Sequence, residues 1–252
     1  MLVVTPLLGG CAEHTVSIAF DPMIGDEFQY RSEITTVVDR PVDGEHTHTE
    51  ESSVLDATET VTAVSDTDVT LDVALERDGA PARTYTSRYD RGDRLTAIDL
   101  IEGVPAEAIG YDLTTDLPAD LTSPPAGPLR PGQRWEIERV LDTGDEPLRI
   151  TGVGTVESLG VVDGRDIATV VIEVEIPVRS EITFPNATVV LDGWQRTRSV
   201  AVYDLAEGAL VTDESTIEGD VDGLILPPPN VNDEPKAATV VYSIDVVTNR
   251  VF

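Results

Sequence analysis

The chain alternates apolar and polar residues with a period of two. The clearest stretch covers residues 168–178, where every second residue is apolar and Thr169, Glu173 and Glu175 lie between them. This period is typical of a β-strand with one buried and one solvated face. The pattern recurs at residues 28–34, 69–75, 135–141 and 240–246. Five such strands predict a mainly β fold, with a large curved antiparallel sheet or half-barrel and little helix.

One short helix is predicted at residues 105–111, where Pro105 lies near the first helical position and Glu107 in the first turn. The surrounding segment, residues 98–121, is rich in Ile, Leu and Val. It can plug the open end of the sheet, or it can act as a lid over an apolar cavity. In the second interpretation the gate to the ligand consists of Ile101, Val104, Ile109 and Leu113.

Several sequence segments occur twice in the same order. Residues 25–30 and 132–137 both begin with Gly and place aromatic or apolar residues at alternate positions, and residues 89–92 resemble residues 203–208. We therefore expect one β domain over 24–252, organised as two pseudo-repeated β-meanders at 24–117 and 131–252. A Pro-rich connector at 118–131 separates them. The alternative is that any meander of hairpins looks self-similar.

Charge limits the choice of partner. The 252 residues include 47 acidic and 17 basic ones, which gives a net charge of −30. A field of one sign repels the phosphate backbone, so nucleic acid is excluded as a partner. Because many acidic residues alternate with Val and Ile along the predicted strands, the charge belongs mainly to the outer face of the sheet, where it favours solubility.

The N-terminal stretch, residues 1–10, is apolar and ends at Cys11, the only cysteine of the chain. Leu8, Gly9, Gly10 and Cys11 together resemble the lipobox of bacterial lipoproteins. The resemblance implies a signal-peptide remnant at 1–10, lipid attachment at Cys11 and a tether at 11–23. The protein would then be anchored by acyl chains in the lipid bilayer, on the extracytoplasmic face of the cell membrane. The alternative is a chance match beside a buried Cys.

Candidate chemistry is sparse. The histidines are His14, His46 and His48, and the last two would share one face of a strand. His46 and His48, or the acidic turn with Asp220 and Asp222, are weak candidates for metal ligands, and we assign no metal and no cofactor. No Gly-x-Ser-x-Gly motif is present, so no hydrolytic triad is predicted and no catalytic residue is assigned.

Carboxylate pairs could also hydrolyse glycosides, but no pair among the 47 acidic residues stands out. Sugar sites generally offer aromatic platforms. The sequence has only two tryptophans, Trp135 and Trp194, and Trp135 follows the core-facing pattern. We therefore do not expect an enzyme.

The arrangement is similar to uncharacterised lipoproteins of high-GC actinobacteria and, more distantly, to the lipid-carrier lipoproteins of bacterial envelopes. The second likeness implies a concave apolar face that binds acyl chains. We therefore expect a non-enzymatic binding or carrier module for an apolar ligand. The alternative is an envelope scaffold whose acidic face binds a protein partner or cations.

Overall fold

A computed structural model describes residues 15–42, 45–78, 80, 83–92, 94–109, 124–125, 127–141, 147–184, 187–228, 231 and 234–252. Twelve strands follow one another along these residues. They are β1 (Glu27–Val42), β2 (Glu45–Val64), β3 (Asp68–Arg77), β4 (Arg83–Asp90), β5 (Leu95–Ile101), β6 (Val104–Pro105), β7 (Arg134–Leu141), β8 (Leu148–Val162), β9 (Arg165–Phe184), β10 (Ala187–Asp204), β11 (Leu210–Leu226) and β12 (Lys236–Val251).

All twelve strands form one antiparallel sheet in the order β6-β5-β4-β3-β2-β1-β12-β11-β10-β9-β8-β7. Consecutive strands pair with one another except β6 and β7, and β1 also pairs with β12, so β6 and β7 are the two edges. The sheet is not closed on itself. The prediction of a large, mainly β fold is therefore confirmed, including each of the five strands read from the alternation.

Helix is as scarce as the sequence predicts. The segment expected to be helical at 105–111 contains a single 3-10 turn, Ala106–Ile109, and it is the one helical element in the described part of the chain. None of the described residues belongs to a helix long and apolar enough to cross a membrane.

The two faces of the sheet differ in chemistry. Residues directly opposite each other on antiparallel strands project from the same face. The core face includes Phe28 and Val73, which are buried among other apolar side chains. The polar face includes Glu175, Arg196 and Glu218, which lie opposite one another on β9, β10 and β11. The alternation in the sequence thus separates a packed side from a solvated one.

The core consists of two clusters, one in each half of the sheet. The cluster of the first half surrounds Phe28, Val61 and Leu71. The cluster of the second half surrounds Ile150 and Val170, and each of these five side chains is at most 4% exposed.

The N-terminal segment joins the two clusters. Val16 and Leu129 exchange two backbone hydrogen bonds of 2.8 and 2.6 Å. Ile18 packs into the second-half cluster and Phe20 into the first-half cluster. Gly208 lies so close to the segment that a Cβ added to it would come within 2.0 Å of the Ala19 carbonyl oxygen.

These contacts concern two segments named in the sequence analysis. Within the tether expected at 11–23, Val16, Ile18 and Phe20 pack against the core. The connector expected at 118–131 also contributes to the core, since Leu129 is 1% exposed. In the first segment Val16, Ile18 and Phe20 alternate with the exposed Ser17, Ala19 and Asp21, so a short local signal was present there.

The two halves share an identical turn. Gly25 and Gly132 both adopt a left-handed conformation, with φ of 94° and 75°. Gly25 N–H donates to the Val61 carbonyl at 2.9 Å, and Gly132 N–H donates to the Val156 carbonyl at 2.7 Å. The pairing with the next strand shifts register just after Val61 and just after Val156. A duplication predicts such matched features, and it remains our interpretation of the sequence pattern.

Candidate functional site

The polar face of the second half carries a depression of about 610 Å³ that runs across β7 to β11. We call it the Arg–Glu groove, after the six charged side chains that line it. They are Arg134, Arg196, Arg198, Glu173, Glu175 and Glu218. Thr151, Val153 and Thr216 lie between these residues. The volume is within the usual range for small-molecule sites.

Strand register positions the charged residues in two rows. In the first row Glu175, Arg196 and Glu218 are directly opposite one another on β9, β10 and β11. In the second row Glu173 is opposite Arg198 on the same two strands. Since alternate residues of a strand project from one face, β10 presents a stripe of guanidinium groups between stripes of carboxylates.

The two arginines of β10 each have a carboxylate partner. Arg196 Nε lies 2.8 Å from a Glu175 carboxylate oxygen, and Arg198 Nε lies 3.5 Å from a Glu173 oxygen. All four side chains are 51–67% exposed. Ion pairs this exposed contribute at most about 1 kcal/mol each. The groups are therefore available to exchange partners with a ligand at little energetic cost.

Trp194 extends the groove at one side. The guanidinium carbon of Arg196 lies 4.6 Å from the centroid of its ring. A neighbouring depression of about 250 Å³ is lined by Trp194, Asp39 and Asp220, and it shares Glu218 with the groove. The sequence left Trp194 unassigned. Its position in the alternation of β10 could have placed it on the polar face together with Arg196 and Arg198.

Trp135 lies on the other face, as predicted. It is packed against the second-half cluster, and its ring covers Gly154 so closely that an added Cβ would come within 2.0 Å of a ring carbon. Trp135 therefore belongs to the core face and not to the groove.

The predicted metal candidates lie in two separate places. His46 and His48 share a face of β2, as expected, and both approach Asp39 of β1, with N···O distances of 3.8 and 2.8 Å. Asp220 and Asp222 lie on β11, and β1 and β12 separate them from the histidines. Throughout the described residues, no group of three or more His, Cys, Asp or Glu side chains is placed to hold a metal ion.

Three of the four predicted gate residues lie at one edge of the sheet. The half-buried Ile101 of β5 is directly opposite Val104 of β6, which is 44% exposed, and Ile109 ends the 3-10 turn that follows. A depression of about 380 Å³ beside β5 is lined by Leu100 and Gly103 instead. Leu113 lies outside the described residues, as do Leu8, Gly9, Gly10 and Cys11 of the lipobox. Lid and anchor thus stay predictions.

A carboxyl group on the core face was missed by the sequence reasoning. Glu59 of β2 lies opposite Phe28 on one side and Val73 on the other. Burial among these apolar residues raises the pKa of Glu59 to about 7. The signal was present, because Glu59 occupies the same phase of the alternation as Ala57 and the buried Val61.

Comparison with known proteins adds no family. No protein-family model matches the chain, and no curated protein matches it. Among solved structures, the outer membrane protein OprG from Pseudomonas aeruginosa aligns at 9% identity over 90% of this chain and 96% of that one, with a TM-score of 0.28. A loop L8 deletion mutant of OmpT, an outer membrane protein of Vibrio cholerae, aligns at 10% identity over 91% of this chain and 100% of that one, with a TM-score of 0.20. Likeness this low supports no inference about function, so the site is argued from its own geometry.

Proposed function

We propose that the protein is a non-enzymatic binding module of the cell envelope and that its ligand occupies the Arg–Glu groove. One observation carries the proposal. The groove combines a ligand-sized volume with exposed hydrogen-bonding groups that strand register holds in fixed rows. Ligand recognition usually depends on a small number of polar groups at fixed positions in a concave surface.

The chemistry of the groove favours binding over catalysis. A guanidinium group stays protonated in proteins, so Arg134, Arg196 and Arg198 can donate hydrogen bonds but cannot act as bases. Glu173 and Glu175 are acceptors already engaged by arginines. Such groups are suited to orienting a ligand through hydrogen bonds.

The groove also changes the expected kind of ligand. The sequence favoured an apolar molecule on a concave apolar face, but near Phe28 and Val170 the core face is filled by packed side chains. The large depression lies on the polar face. A polar ligand therefore fits the geometry better than an acyl chain does.

Location in the envelope rests on the lipobox. If Cys11 carries the lipid, five residue steps separate it from Val16, which pairs with Leu129. Such a segment spans at most about 18 Å. The sheet would then stay close to the membrane surface. Cys11→Ser should release the protein into the medium on cell fractionation, and unchanged membrane retention would refute the anchor.

The groove is tested by filling it. Val153 lies on its floor, so Val153→Trp should block binding, while Thr35→Trp places the same bulk on the polar face outside the groove. Both variants and the parent protein are titrated with neutral hexasaccharides, acidic hexasaccharides and palmitate, and binding is followed by native mass spectrometry. We expect at least one of these classes to bind the parent and Thr35→Trp but not Val153→Trp. Binding of none of them, or binding that Val153→Trp leaves unchanged, contradicts the proposal.

A further inference from the structure

We infer that the ligand of the Arg–Glu groove is an uncharged glycan chain, an inference that rests on the proposed function above. The first argument is the charge balance of the groove. Acidic residues outnumber basic ones 47 to 17 in the chain, yet the groove is lined by three arginines and three glutamates. The depression next to it, which contains Trp194, is lined by Asp39, Glu218 and Asp220. Charge is therefore balanced within the groove itself, against the acidic surface around it.

Charge balance disfavours ionic ligands of either sign. An anion would approach against the field of a chain with a net charge of −30, and Arg196 and Arg198 are already paired with Glu175 and Glu173. A cation would meet three guanidinium groups. An apolar ligand would remove six charged groups from water without giving them new hydrogen bonds, which is strongly unfavourable.

A polyhydroxylated chain can form hydrogen bonds with both the arginines and the glutamates of the groove. Each sugar hydroxyl donates one hydrogen bond and accepts others, as do the hydroxyls of Ser and Thr. An adjacent guanidinium and carboxylate, such as Arg196 and Glu175, can donate to one hydroxyl and accept from its neighbour. Arg198 and Glu173 offer the same combination one row along the strands.

Trp194 supplies the remaining element of a sugar site. Its partly exposed ring lies on the same face as the paired charges and contacts Arg196 at the side of the groove. An aromatic ring combines a large apolar surface with a polar edge, which matches the apolar C–H face and polar rim of a pyranose. The groove thus presents hydrogen-bonding pairs and, beside them, a stacking platform.

The inference is tested with cellohexaose, maltohexaose and chitohexaose as neutral probes, and with hexagalacturonate and palmitate as charged and apolar ones. Isothermal titration measures each on the full chain. At least one neutral hexasaccharide should bind, and Arg196→Gln and Trp194→Ala should each weaken its binding about tenfold or more, the loss of one well-made contact. Arg149→Gln is the matched control, because Arg149 forms an equally exposed pair with Glu138 outside the groove. It should leave affinity unchanged within about twofold.

Salt separates the ligand classes further. The affinity for a neutral glycan should change less than about twofold between about 0.1 and about 1 M NaCl, since no net charge is screened. If hexagalacturonate or palmitate binds in a manner that Val153→Trp abolishes, and no neutral probe does, the glycan inference is wrong while the binding module stands. If Val153→Trp affects no probe, the proposed function itself fails.

Discussion

The two halves of the sheet share a backbone framework but carry different side chains at matched positions. Gly25 and Gly132 make the same left-handed turn, and Val61 and Val156 receive the same backbone hydrogen bond from it. Two positions before each of these valines, the first half has Glu59 and the second half has Gly154. Glu59 lies opposite Phe28, whereas Gly154 lies under the ring of Trp135. The same backbone therefore accommodates a half-buried carboxyl in one half and a larger aromatic ring in the other.

The polar faces differ in a parallel way. Along matching strands, the pair Ala74 and Thr84 of the first half corresponds to the pair Glu173 and Arg198 of the second. Each pair lines the depression of its own half, of about 380 and about 610 Å³ respectively. The depression is thus a property of the shared framework. The balanced charges are a property of the second half, and they are the reason to place the function there.

The largest loss of stability is expected when the core glycine of the second half is replaced by the residue of the first half. Gly154→Glu brings the carboxyl of the first half into the second, where the new Cβ would come within 2.0 Å of the Trp135 ring. We expect the free energy of unfolding to fall by about 4 kcal/mol or more, because overpacking and an unpaired buried carboxyl act together. Urea denaturation followed by circular dichroism measures the change.

Gly160→Glu is the control for this exchange, since the same residue enters the same strand at a position where nothing lies within 4 Å. Its effect should stay within about 0.5 kcal/mol, as is usual for surface positions. Equal destabilisation by both variants would show that the ring of Trp135 does not define the second-half core.

The next largest effect concerns Glu59 and depends on pH. Burial raises the pKa of Glu59 from 4.5, its ordinary value in water, to about 7 in the folded protein. Because the folded pKa is raised, Glu59 does not destabilise the fold below pH 4.5, destabilises it progressively from pH 4.5 to 7 and does so fully above pH 7. The full penalty is on the order of 3 kcal/mol.

Glu59→Gln removes this penalty. Relative to the parent, the variant should gain about 3 kcal/mol in unfolding free energy between pH 4 and pH 8, and Glu51→Gln, an exposed residue of the same strand, should gain much less. Urea titrations at both pH values provide the comparison. A difference between variant and parent that stays constant with pH would mean that Glu59 is not buried from water.

A smaller loss of stability is expected where the N-terminal segment passes the turn between β10 and β11. Gly208 and Gly164 both have a positive φ, of 67° and 81°, but only Gly208 lies against the backbone of Ala19. Gly208→Ala should lower the unfolding free energy by about 2 kcal/mol or more, whereas Gly164→Ala carries only the conformational strain of about 1 kcal/mol. Similar losses in both variants would indicate that the segment adds little to the core.

The sequence predicted the sheet far better than it predicted the site. Alternation with a period of two is a local signal, so residues 168–178 and 69–75 were recognised as strands without knowledge of their partners. The placement of Arg196 opposite Glu175 depends on the register between strands, which no local pattern encodes. For the same reason Asp39, which approaches His48 across a strand pair, was not anticipated. Ile18 and Phe20 were assigned to a tether although they alternate with exposed residues, because the clusters that bury them are formed by strands distant in sequence.

The smallest change in stability should accompany a clear loss of binding. The double variant Glu173→Ala with Arg198→Thr gives the second half the pair that the first half has at this position. Because both side chains are more than half exposed, the loss of their ion pair should change the unfolding free energy by less than about 1 kcal/mol. Binding of the neutral hexasaccharide should nevertheless fall about tenfold or more, since one of the two donor and acceptor pairs is gone. The reciprocal variant Ala74→Glu with Thr84→Arg tests whether the framework alone is sufficient. It should create weak binding in the first half of a protein whose groove is blocked by Val153→Trp, and the absence of any such binding would mean that Trp194 and the second charged row are also required.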